Sequence, residues 1–595
     1  MSKSNKTVII TGSGTGIGQS VARKFAKQGY NVIIMGRRKD PLIEASQILN
    51  NIIKEGGYNS IVKYYSGIDV ANEDDINHMF EQIKNDFGTI DVVVNNAGVS
   101  GPVKIFTNSN FSDFKECVAI HLTGTFWTSL KSLGVLQEQS NIITISTFFT
   151  EENKFEQRPY RFRTPYTAAQ GAKNRLTEAL AWELVEKKIK SIGTNPGPVH
   201  SDRIYKTVYP KAAAEFLRIG GFERMTSKEI EDSTQLLLPL LGEEEKVITG
   251  EIEKFSKTIF QKNNLDSNLD QYKQLLLNLL HKIQEIAEKV QNNTKKMIVD
   301  NEFLAQDDVA EMVYTLSAEK ISKMLNGKVI PNDRVFYPVK PSVNKINSNN
   351  NNFDEKKLKD NLVLITTTSS NLYDLDNIRK LAEKILSYGV RQIIILSNKN
   401  EISNQSNEIF NKFHHHNIDL SSEETIRKIF NTIETHFGKI DTTIHFTGSY
   451  NYGKSLISFS RKEWDILVDN FINIPHLITR ESILSMATRE AINDPSKFKD
   501  AHGNMLIVGP DSPTGKKIEG KVRARAEVFR GALRPYVTTA NQELHDVLNS
   551  KINLTLLLQG NIEGQTPTYE ELEKTIVNLS AQRDLTNQTI LYVNE

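Results

Sequence analysis

A glycine-rich loop near the amino terminus is the first stretch whose residue types and spacing indicate chemistry. It follows the β-branched run Thr7–Ile10 and precedes Ser20–Gln28, which has helical apolar spacing. Glycines at such a strand-to-helix turn permit a tight bend and let the helix amino terminus face a pyrophosphate group. The predicted dinucleotide-binding loop consists of Gly12, Ser13, Gly14, Thr15, Gly16, Ile17 and Gly18.

Basic residues follow the second apolar run, Asn31–Met35, at the place where NAD-dependent enzymes usually carry an acid. Arg37 and Arg38 come directly after Gly36. Arginine can form bidentate, charge-assisted hydrogen bonds with a 2′-phosphate, whereas a carboxylate would repel it. These residues favour NADP(H) as the cofactor. The alternative is a solvated basic start of the next helix.

The elements that would position this loop alternate regularly between strands and helices. We predict a helix near residues 40–54, a strand near 61–65, a helix near 74–86 and a strand near 91–94. Such alternation is typical of an α/β fold with a doubly wound parallel sheet. The chain is therefore expected to contain Rossmann-like units.

An internal repeat indicates two such units in tandem. Ile68–Ile76 recurs as Ile418–Ile426, and Asp86–Asp91 recurs as His436–Asp441, each 350 residues further along. A match at constant spacing over some 30 positions indicates two copies of one α/β unit. The predicted division is a first unit at 1–342, a polar linker at 343–354 and a second unit at 355–595.

A helical stretch interrupts the first unit at about residues 210–296, ahead of a closing strand near 327–336. Apolar residues recur at helical spacing in Leu236–Leu241 and Tyr272–Leu280. Two interpretations stay open for this insertion, a set of ordinary packing helices or a lid over a substrate.

Composition limits the classes of partner. The 73 basic and 72 acidic side chains give a net charge of +1, so no overall field attracts nucleic acid or anionic lipid. Cys117 is the single cysteine, which excludes an internal disulfide and a cysteine-based zinc cluster. His414–His416 is interpreted as a loop tract and not as a metal site. No membrane-spanning run or signal peptide is found, so we expect a cytoplasmic protein without metal.

Taken together, the motifs resemble those of the short-chain dehydrogenase/reductase family over residues 1 to about 340. They are Thr11–Gly18, Asp69-Val70, Asn95–Gly98, Tyr166 and Pro196–Val199. The resemblance implies an NADP-dependent oxidoreductase acting on a small carbonyl substrate. It also implies that these further residues line the cofactor: Asp69, Val70, Asn95, Ala97, Gly98, Pro196, Gly197 and Val199.

The same resemblance assigns roles in catalysis. Tyr166 matches the family's proton donor, and Thr147, with Ser146 beside it, matches the hydroxyl that binds the substrate carbonyl. Two positions depart from the pattern. Gln170 stands where the family has a lysine, and His121 replaces an asparagine of the proton relay.

Lys173 is the nearest lysine to the altered position. It lies seven residues after Tyr166, on nearly the same helix face but about 4.5 Å beyond the usual site. Its long side chain is a candidate replacement for the missing lysine. The alternative is a non-catalytic dinucleotide-binding sensor or scaffold, which would keep the cofactor loop without turnover.

A narrower resemblance concerns the substrate. The chain is similar to each half of the bifunctional malonyl-CoA reductases of the 3-hydroxypropionate route, in Ser146–Phe149, Pro196–Arg203 and Gly509–Pro513. This implies an NADPH-dependent reductase of malonyl-CoA or malonate semialdehyde, with Arg203 holding the free carboxylate. A surface salt bridge is the alternative for Arg203, and reduction of another carbonyl is the alternative activity. The family also implies a homodimer formed through the helices that carry the tyrosine.

The second unit lacks the corresponding machinery. Thr366–Ser370 replaces the glycine loop, and no tyrosine–lysine pair follows Gly509. Without glycines the backbone cannot approach a pyrophosphate closely. We therefore expect the second unit to stabilise the first or to shape its pocket. A group of arginines there is interpreted as a solvated helix face or as the border of a CoA phosphate site: Arg523, Arg525, Arg530 and Arg534.

Overall fold

The structure is a computed structural model, and it describes most of the 595 residues. The described residues are 5–150, 160–199, 201, 204–263, 269–334, 343–346, 355–368, 375–398, 409–410, 413–448, 450–510, 519–559, 568–582 and 589–593. They form two α/β units in tandem, as the alternating pattern predicts.

The first unit contains a parallel sheet, the helices that cover it and the helical insertion. Its strands are β1 (Thr7–Thr11), β2 (Asn31–Gly36), β3 (Val62–Ser66), β4 (Ile90–Asn95), β5 (Leu136–Ile145), β6 (Lys190–Pro196) and β7 (Val329–Asn332). Its helices are α1 (Gly16–Ala26), α2 (Lys39–Glu55), α3 (Glu73–Phe87), α4 (Phe111–Val118), α5 (Gly124–Ser132), α6 (Thr164–Glu183), α7 (Tyr209–Gly220), α8 (Ser227–Leu237), α9 (Glu245–Asn263), α10 (Leu269–Lys296), α11 (Gln306–Ser317) and α12 (Glu319–Met324).

The second unit repeats the pattern with fewer helices. Its strands are β8 (Val343–Ile346), β9 (Leu362–Thr367), β10 (Gln392–Asn398), β11 (Ile409–Phe410), β12 (Phe413–Ile418), β13 (Thr442–Phe446), β14 (His502–Val508), β15 (Lys551–Gln559) and β16 (Ile590–Val593). Its helices are α13 (Leu375–Leu386), α14 (Glu423–Phe437), α15 (Arg461–Val468), α16 (Ile474–Ala487), α17 (Gly520–Gln542) and α18 (Tyr569–Ser580).

Strand order explains why a cleft forms in the first sheet. The order is β3-β2-β1-β4-β5-β6-β7, all parallel, so the chain reverses its direction of winding between β1 and β4. Ligands of open α/β sheets bind at such a switch point, beyond the carboxyl ends of the strands. The second sheet has the order β11-β12-β10-β9-β13-β14-β15-β16-β8, with β11 antiparallel to β12. Seven of its strands match the first sheet in order.

The repeat at 350 residues is visible in the elements themselves. Helices α3 and α14 begin and end 350 residues apart, and so do α4 and α15. One π-helical turn, Ala119–Thr123, joins α4 to α5, and the corresponding turn Asp469–Asn473 joins α15 to α16. The same sequence pattern therefore produces the same local structure twice.

Two expectations need correction. The predicted linker at 343–354 is not structureless at its start, because Val343–Ile346 forms strand β8 and pairs with β16; residues 347–354 lie outside the described part of the chain. His414–His416 is not a loop tract but part of strand β12, where alternate side chains point to opposite faces. Within the described residues, no group of three or more metal-ligating side chains is close enough to bind a metal ion.

The two units pack through helices α6 and α17, with α4, α5, α15 and α16 around them. A Cβ atom at Gly171 of α6 would lie 2.1 Å from the carbonyl oxygen of Gly531, so glycine is required for this close approach. Trp464 of the second unit stacks on Phe126 of the first, with 3.7 Å between ring centroids. One continuous apolar core thus joins the two units.

This packing bears on the expected dimer interface. Helix α17 of the same chain packs closely on α6, the helix that carries Tyr166. That contact therefore lies within one chain, and the expected homodimer stays a prediction.

The helical insertion forms a separate packed layer. Helices α7 to α10 enclose their own apolar cluster, which includes Leu217, Ile230, Leu276 and Ile283. The stretch predicted at residues 210–296 corresponds to these four helices. No helix in the part of the chain that the structure describes is long and apolar enough to span a membrane.

Candidate functional site

A cavity of about 1020 Å³ opens at the carboxyl ends of β1, β2, β4, β5 and β6. Its lining includes nearly all of the residues predicted for the site. From the predicted cofactor set these are Gly12, Gly14, Thr15, Gly16, Ile17, Gly18, Arg37, Arg38, Asp69, Val70, Ala97, Gly98, Pro196, Gly197 and Val199. From the predicted catalytic set they are His121, Ser146, Thr147, Tyr166, Gln170 and Lys173.

The glycine loop is shaped by close contacts. Gly12 has a φ of +64°, and a Cβ there would lie 2.8 Å from Ala97 Cα. A Cβ on Gly18, in the first turn of α1, would lie 2.5 Å from Asn96 Nδ2. Gly16 has a φ of +63° and faces open space, since a Cβ there would have no neighbouring atom within 4 Å. This leaves a backbone cradle at the amino terminus of α1 that suits a pyrophosphate.

Two predicted cofactor residues lie behind the cavity and not on its surface. Ser13 is buried; its hydroxyl donates to the Ile10 carbonyl (2.7 Å) and accepts from the Met35 amide (3.0 Å). Asn95 is buried as well, and its amide donates to Ser129 Oγ (2.8 Å). Both side chains are used to hold the strands and the loop together, so their predicted direct role in binding is corrected to a supporting one.

Asn96 lines the cavity instead, and it was missed. Its amide donates to the carbonyls of Thr11 (2.9 Å) and Gly12 (3.1 Å), which ties the end of β4 to the glycine loop. The sequence signal was present, because Asn95 and Asn96 are adjacent and successive residues of a strand point to opposite faces. Which of the two faces the cavity depends on how the strand ends.

The basic edge of the cavity lies at the end of β2. Arg37 forms loose ion pairs with Asp69 (3.6 Å) and Glu116 (3.9 Å). Asp69 is itself held in place, since it accepts a hydrogen bond from the Ala71 amide (2.9 Å). Arg38 lines the cavity beside them. Two guanidinium groups at this edge suit a phosphate on the adenosine ribose.

Tyr166 stands in the first turn of α6, surrounded by rings and one cation. The His121 ring lies 5.1 Å away and is perpendicular to it, and the Tyr160 ring lies 6.3 Å away. The guanidinium of Arg163 lies 4.4 Å from the Tyr166 ring centroid, within cation–π range. His121 is fixed by the backbone of Val99, with 2.9 Å between Nε2 and the carbonyl oxygen.

The hydroxyl residues after β5 are joined to α6. Ser146 Oγ donates to the Gln170 carbonyl oxygen (3.2 Å), and its distance to Gln170 Oε1 is 3.4 Å. Among the described residues, the Thr147 hydroxyl has only a long contact from the Phe149 amide (3.4 Å). Ser146 is therefore engaged with the helix, whereas the Thr147 hydroxyl is the better placed of the two to donate to a ligand.

Lys173 is the most unusual group in the cavity wall. Its side chain is buried, and no carboxylate among the described residues pairs with it. Burial lowers the pKa of Lys173 to about 7, because removing an ammonium group from water disfavours its charged form. A buried lysine of this kind is a site where a ligand acceptor would be strongly bound.

Arg163 is a second buried cation in the wall. It is 4% exposed, its guanidinium lies over the rings of Tyr160 and Tyr166, and no described carboxylate pairs with it. Arginine stays charged under all ordinary conditions, so its burial requires compensation by an anion or by aromatic faces. Sequence reasoning missed Arg163, because its burial depends on the tertiary packing of Tyr160 and Tyr166 against it.

The insertion closes the far end of the cavity. Tyr209 and Ala212 of α7 and Val290 and Thr294 of α10 contribute to its lining. This supports the interpretation of the insertion as a cover for a substrate. Ser201 also lines the cavity, whereas Arg203, the predicted carboxylate anchor, lies outside the described residues.

Three of the four arginines singled out in the second unit do not form the solvated helix face expected of them. Arg525, Arg530 and Arg534 are buried, and only Arg523 is exposed. Arg525 pairs with Glu183 of the first unit, and Arg530 donates to the carbonyl of Pro510. They are used in packing, because α17 lies between the units and not at the surface.

Comparison with known proteins shows what the first unit is similar to. Residues 6–209 match the sequence model of the family described as short chain dehydrogenase. The uncharacterized oxidoreductase YxbG of Bacillus subtilis is 29% identical over 248 residues, which are 41% of this chain and 82% of that protein. The 3alpha-hydroxysteroid dehydrogenase of Mediterraneibacter gnavus is 29% identical over 248 residues, covering 42% of this chain and 94% of that protein.

Two solved structures are similar over the whole chain. The C-domain of a bacterial malonyl-CoA reductase, solved with NADP, superposes with a TM-score of 0.72 at 15% identity, covering 99% of this chain and 98% of that one. The N-domain of a bacterial malonyl-CoA reductase, also with NADP, gives 0.68 at 14% identity, covering 99% and 97%. At this identity the likeness concerns the fold. Over residues 6–209 the first unit is thus similar to the short chain dehydrogenase family, within a tandem fold shared with the malonyl-CoA reductase domains.

Proposed function

We propose that this chain is an NADPH-dependent reductase of a small carbonyl compound that carries a free carboxylate, with malonyl-CoA and malonate semialdehyde as the leading substrates. The observation that carries the proposal is the buried guanidinium of Arg163, which has no described carboxylate partner and lies over the ring of Tyr166 in the cavity wall. The likeness of the whole tandem fold to the two malonyl-CoA reductase domains, both solved with NADP, supports the choice of substrate and cofactor.

The wall residues fit a nicotinamide dinucleotide phosphate. The cradle at Gly14 and Gly16 suits the pyrophosphate, and Arg37 and Arg38 suit the 2′-phosphate. When bound, this cofactor supplies the hydride. Gln170 and Lys173, on the same face of α6, are the residues that would bind the ribose hydroxyls near the reacting carbon.

Tyr166 is proposed as the acid. Its hydroxyl gives a proton to the substrate carbonyl oxygen as the carbonyl is reduced, and Thr147 donates a hydrogen bond to the same oxygen. Lys173 takes the place of the family lysine, because a cation seven residues along α6 favours the tyrosinate that proton transfer leaves behind. His121, 5.1 Å from the Tyr166 ring, is proposed to return the proton from solvent.

Arg163 orients the substrate. A planar guanidinium binds a carboxylate through two parallel hydrogen bonds, which fixes the distance from the carboxylate to the carbonyl that reacts. Arg203, predicted for the same role, remains a second candidate. With a thioester as substrate, reduction gives a hemithioacetal, which breaks down to the aldehyde with loss of the CoA thiolate.

The direct test is an assay of NADPH consumption with malonyl-CoA, malonate semialdehyde and succinate semialdehyde. We expect turnover of at least one three-carbon substrate, and weaker turnover of uncharged aldehydes of the same length. Arg163→Met should raise KM for the carboxylate substrates far more than for the uncharged ones. Absence of turnover with all three substrates at high protein concentration would contradict the proposal.

A second candidate function is a non-catalytic NADP-binding protein. The observation that favours it is Gln170, which supplies no charge beside Tyr166 where the family has a lysine. Calorimetry would then show NADP binding without turnover. Gln170→Lys decides how far Lys173 compensates: a large gain in rate would mean that Lys173 does not replace the missing lysine.

A further inference from the structure

The segment before α6 combines a position beside the cavity with a strained backbone. Tyr160 and Arg163 line the cavity, and between them Phe162 has a φ of +63°. This left-handed conformation is unfavourable for a bulky residue, and it persists only where the surroundings enforce it. The direction of the Phe162 backbone also decides where the Arg163 side chain points.

A carboxyl group of the second unit contacts the backbone of Phe162. Glu543 follows α17 and is fully buried. Its Oε1 accepts a hydrogen bond from the Phe162 amide (2.5 Å), and its Oε2 accepts one from the Phe106 amide (2.9 Å). One side chain therefore ties two separate loops of the first unit together.

Other contacts hold the opposite side of Phe162. Its carbonyl accepts a hydrogen bond from the Lys104 amide (3.1 Å), and its ring packs on Phe216 with 4.8 Å between centroids. Glu215 of the insertion accepts from the Ile105 amide (2.9 Å). The backbone of Phe162 is thus hydrogen-bonded to Glu543 on one side and to the loop at residues 104–106 on the other, and Glu543 also contacts that loop.

The charges around Glu543 show that its placement is energetically demanding. Burial raises its pKa to about 8, and the neighbouring carboxylate of Glu215 also acts to raise it, while the two backbone donors and Arg161 act in the opposite direction. Arg161 itself pairs with Asp546 at the surface (2.9 Å). A buried carboxyl of this kind destabilises the fold unless its hydrogen bonds compensate.

We propose that Glu543 is a positioning residue for the reaction of the first unit. The second unit uses this carboxyl group, through its contacts with two backbone amides, to hold Phe162 in its left-handed conformation, and thereby sets the Arg163 guanidinium against Tyr166. The inference rests on the proposed function only in the role it gives Arg163. It gives the second unit, which lacks a glycine loop, a definite part in the site.

Glu543→Gln tests the proposal with little change in volume. Glutamine offers one acceptor oxygen where two backbone amides need one each, so one of the two loops is released. We expect kcat/KM for the carboxylate substrate to fall by about 100-fold, the cost of an ångström-scale misplacement, with the Kd for NADPH within about twofold of its original value. Glu519→Gln, which removes an exposed ion pair with Lys521 at the other end of α17 (2.9 Å), is the matched control and should leave kcat/KM unchanged.

Two further readouts separate positioning from general destabilisation. Glu543→Gln and Arg163→Met should be strongly non-additive in kcat/KM, because both remove the same placed guanidinium. Amide hydrogen exchange, measured without substrate, should rise at residues 160–166 and 104–108 in Glu543→Gln and stay unchanged in the glycine loop. If Glu543→Gln does not fold, Glu543→Asp is used for both measurements, since its shorter carboxylate can reach only one amide.

The outcomes distinguish this inference from the proposed function. Unchanged exchange in both segments, or additive effects of the two substitutions, would overturn the role of Glu543. Lack of turnover in the unmodified protein would overturn the proposed function, while the exchange data would still decide whether Glu543 holds the segment.

Discussion

The two units place different residues at corresponding points of the same fold, and the difference shows what a cofactor site requires. In the first unit, β1 ends just before Gly12, whose positive φ turns the chain where its backbone passes close to Ala97. In the second, Thr367 occupies the matching place in the register of β9 against β13, and the strand simply continues through it. A β-branched residue does not readily adopt a positive φ, so the cradle cannot form there.

The helices facing the two sites differ in the same way. Gln170 precedes Gly171 of α6, and Arg530 precedes Gly531 of α17, where the two helices cross. Gln170 lines the cavity, whereas the guanidinium of Arg530 donates to the Pro510 carbonyl at the end of β14. One unit leaves polar groups available to a ligand, and the other satisfies them internally.

Of the substitutions that test this contrast, that of Tyr166 should have the largest effect. The first unit has Tyr166 five residues before Gly171, and the second has Ala526 five residues before Gly531. Tyr166→Phe should lower kcat by about 10²–10⁴-fold, the usual contribution of a general acid, without weakening NADPH binding. Steady-state kinetics and calorimetry check this, with Tyr58→Phe, an exposed tyrosine that does not line the cavity, as the control. Near-normal kcat in Tyr166→Phe would mean that another group delivers the proton.

The joint between the units should be the next most sensitive point. Glu183 and Arg525 form an ion pair across it, with side chains only 4% and 5% exposed. Arg525→Met should cost about 3–5 kcal/mol in the free energy of unfolding, because it leaves the Glu183 carboxylate buried and unpaired. Lys188→Met, which removes an exposed pair with Glu138, should cost less than about 1 kcal/mol.

Denaturant unfolding monitored in both units measures these losses. Adding Glu183→Gln to Arg525→Met should recover part of the stability, because the orphaned charge is then removed. A double variant no more stable than Arg525→Met alone would argue against this explanation.

Exchanging the loop residues between the units should have a smaller effect, limited to the cofactor. Gly12→Thr places a branched Cβ at a φ of +64° and 2.8 Å from Ala97 Cα. The strain of about 1–3 kcal/mol should raise the Kd for NADPH by roughly 10- to 100-fold. The matched control is Thr367→Gly in the second unit, which should leave the stoichiometry at one NADPH per chain. A second binding event in that variant would show that the second unit needs only a glycine.

The buried lysine should make the stability of the first unit depend on pH. Burial lowers the pKa of Lys173 to about 7, so above that pH the unfolded chain binds a proton that the folded chain does not. The free energy of unfolding should therefore rise with pH above about 7, by at most about 1.4 kcal/mol per pH unit, until the unfolded lysine also titrates.

Comparison with Lys173→Met isolates this contribution. The stability of the original protein relative to Lys173→Met should increase between about pH 6.5 and about pH 9 in the absence of ligand. An equal difference in unfolding free energy between the two proteins at both pH values would mean that Lys173 is solvated or paired in the folded protein.

Much of the fold and the cofactor part of the site could be predicted from the sequence. The alternation of strands and helices predicted the parallel sheets, and the repeat at 350 residues predicted two units whose elements coincide at that spacing. These features are local, since periodicity and glycine placement act through the backbone of a few neighbouring residues. Ser13 and Asn95 were misplaced because a motif does not state which side of a loop or strand a side chain faces.

By itself the sequence determined where the chain turns, which segments form strands and helices, and that one of two related units keeps a glycine loop. Only the tertiary structure decided which residues face the cavity and which support it. The burial of Arg163 and Lys173 depends on residues packed around them in the folded chain. The contact of Glu543 with Phe162 and that of Arg525 with Glu183 join positions that lie far apart in the sequence, one in each unit. Burial and partner choice depend on everything packed around a group, and no short stretch of sequence contains that information.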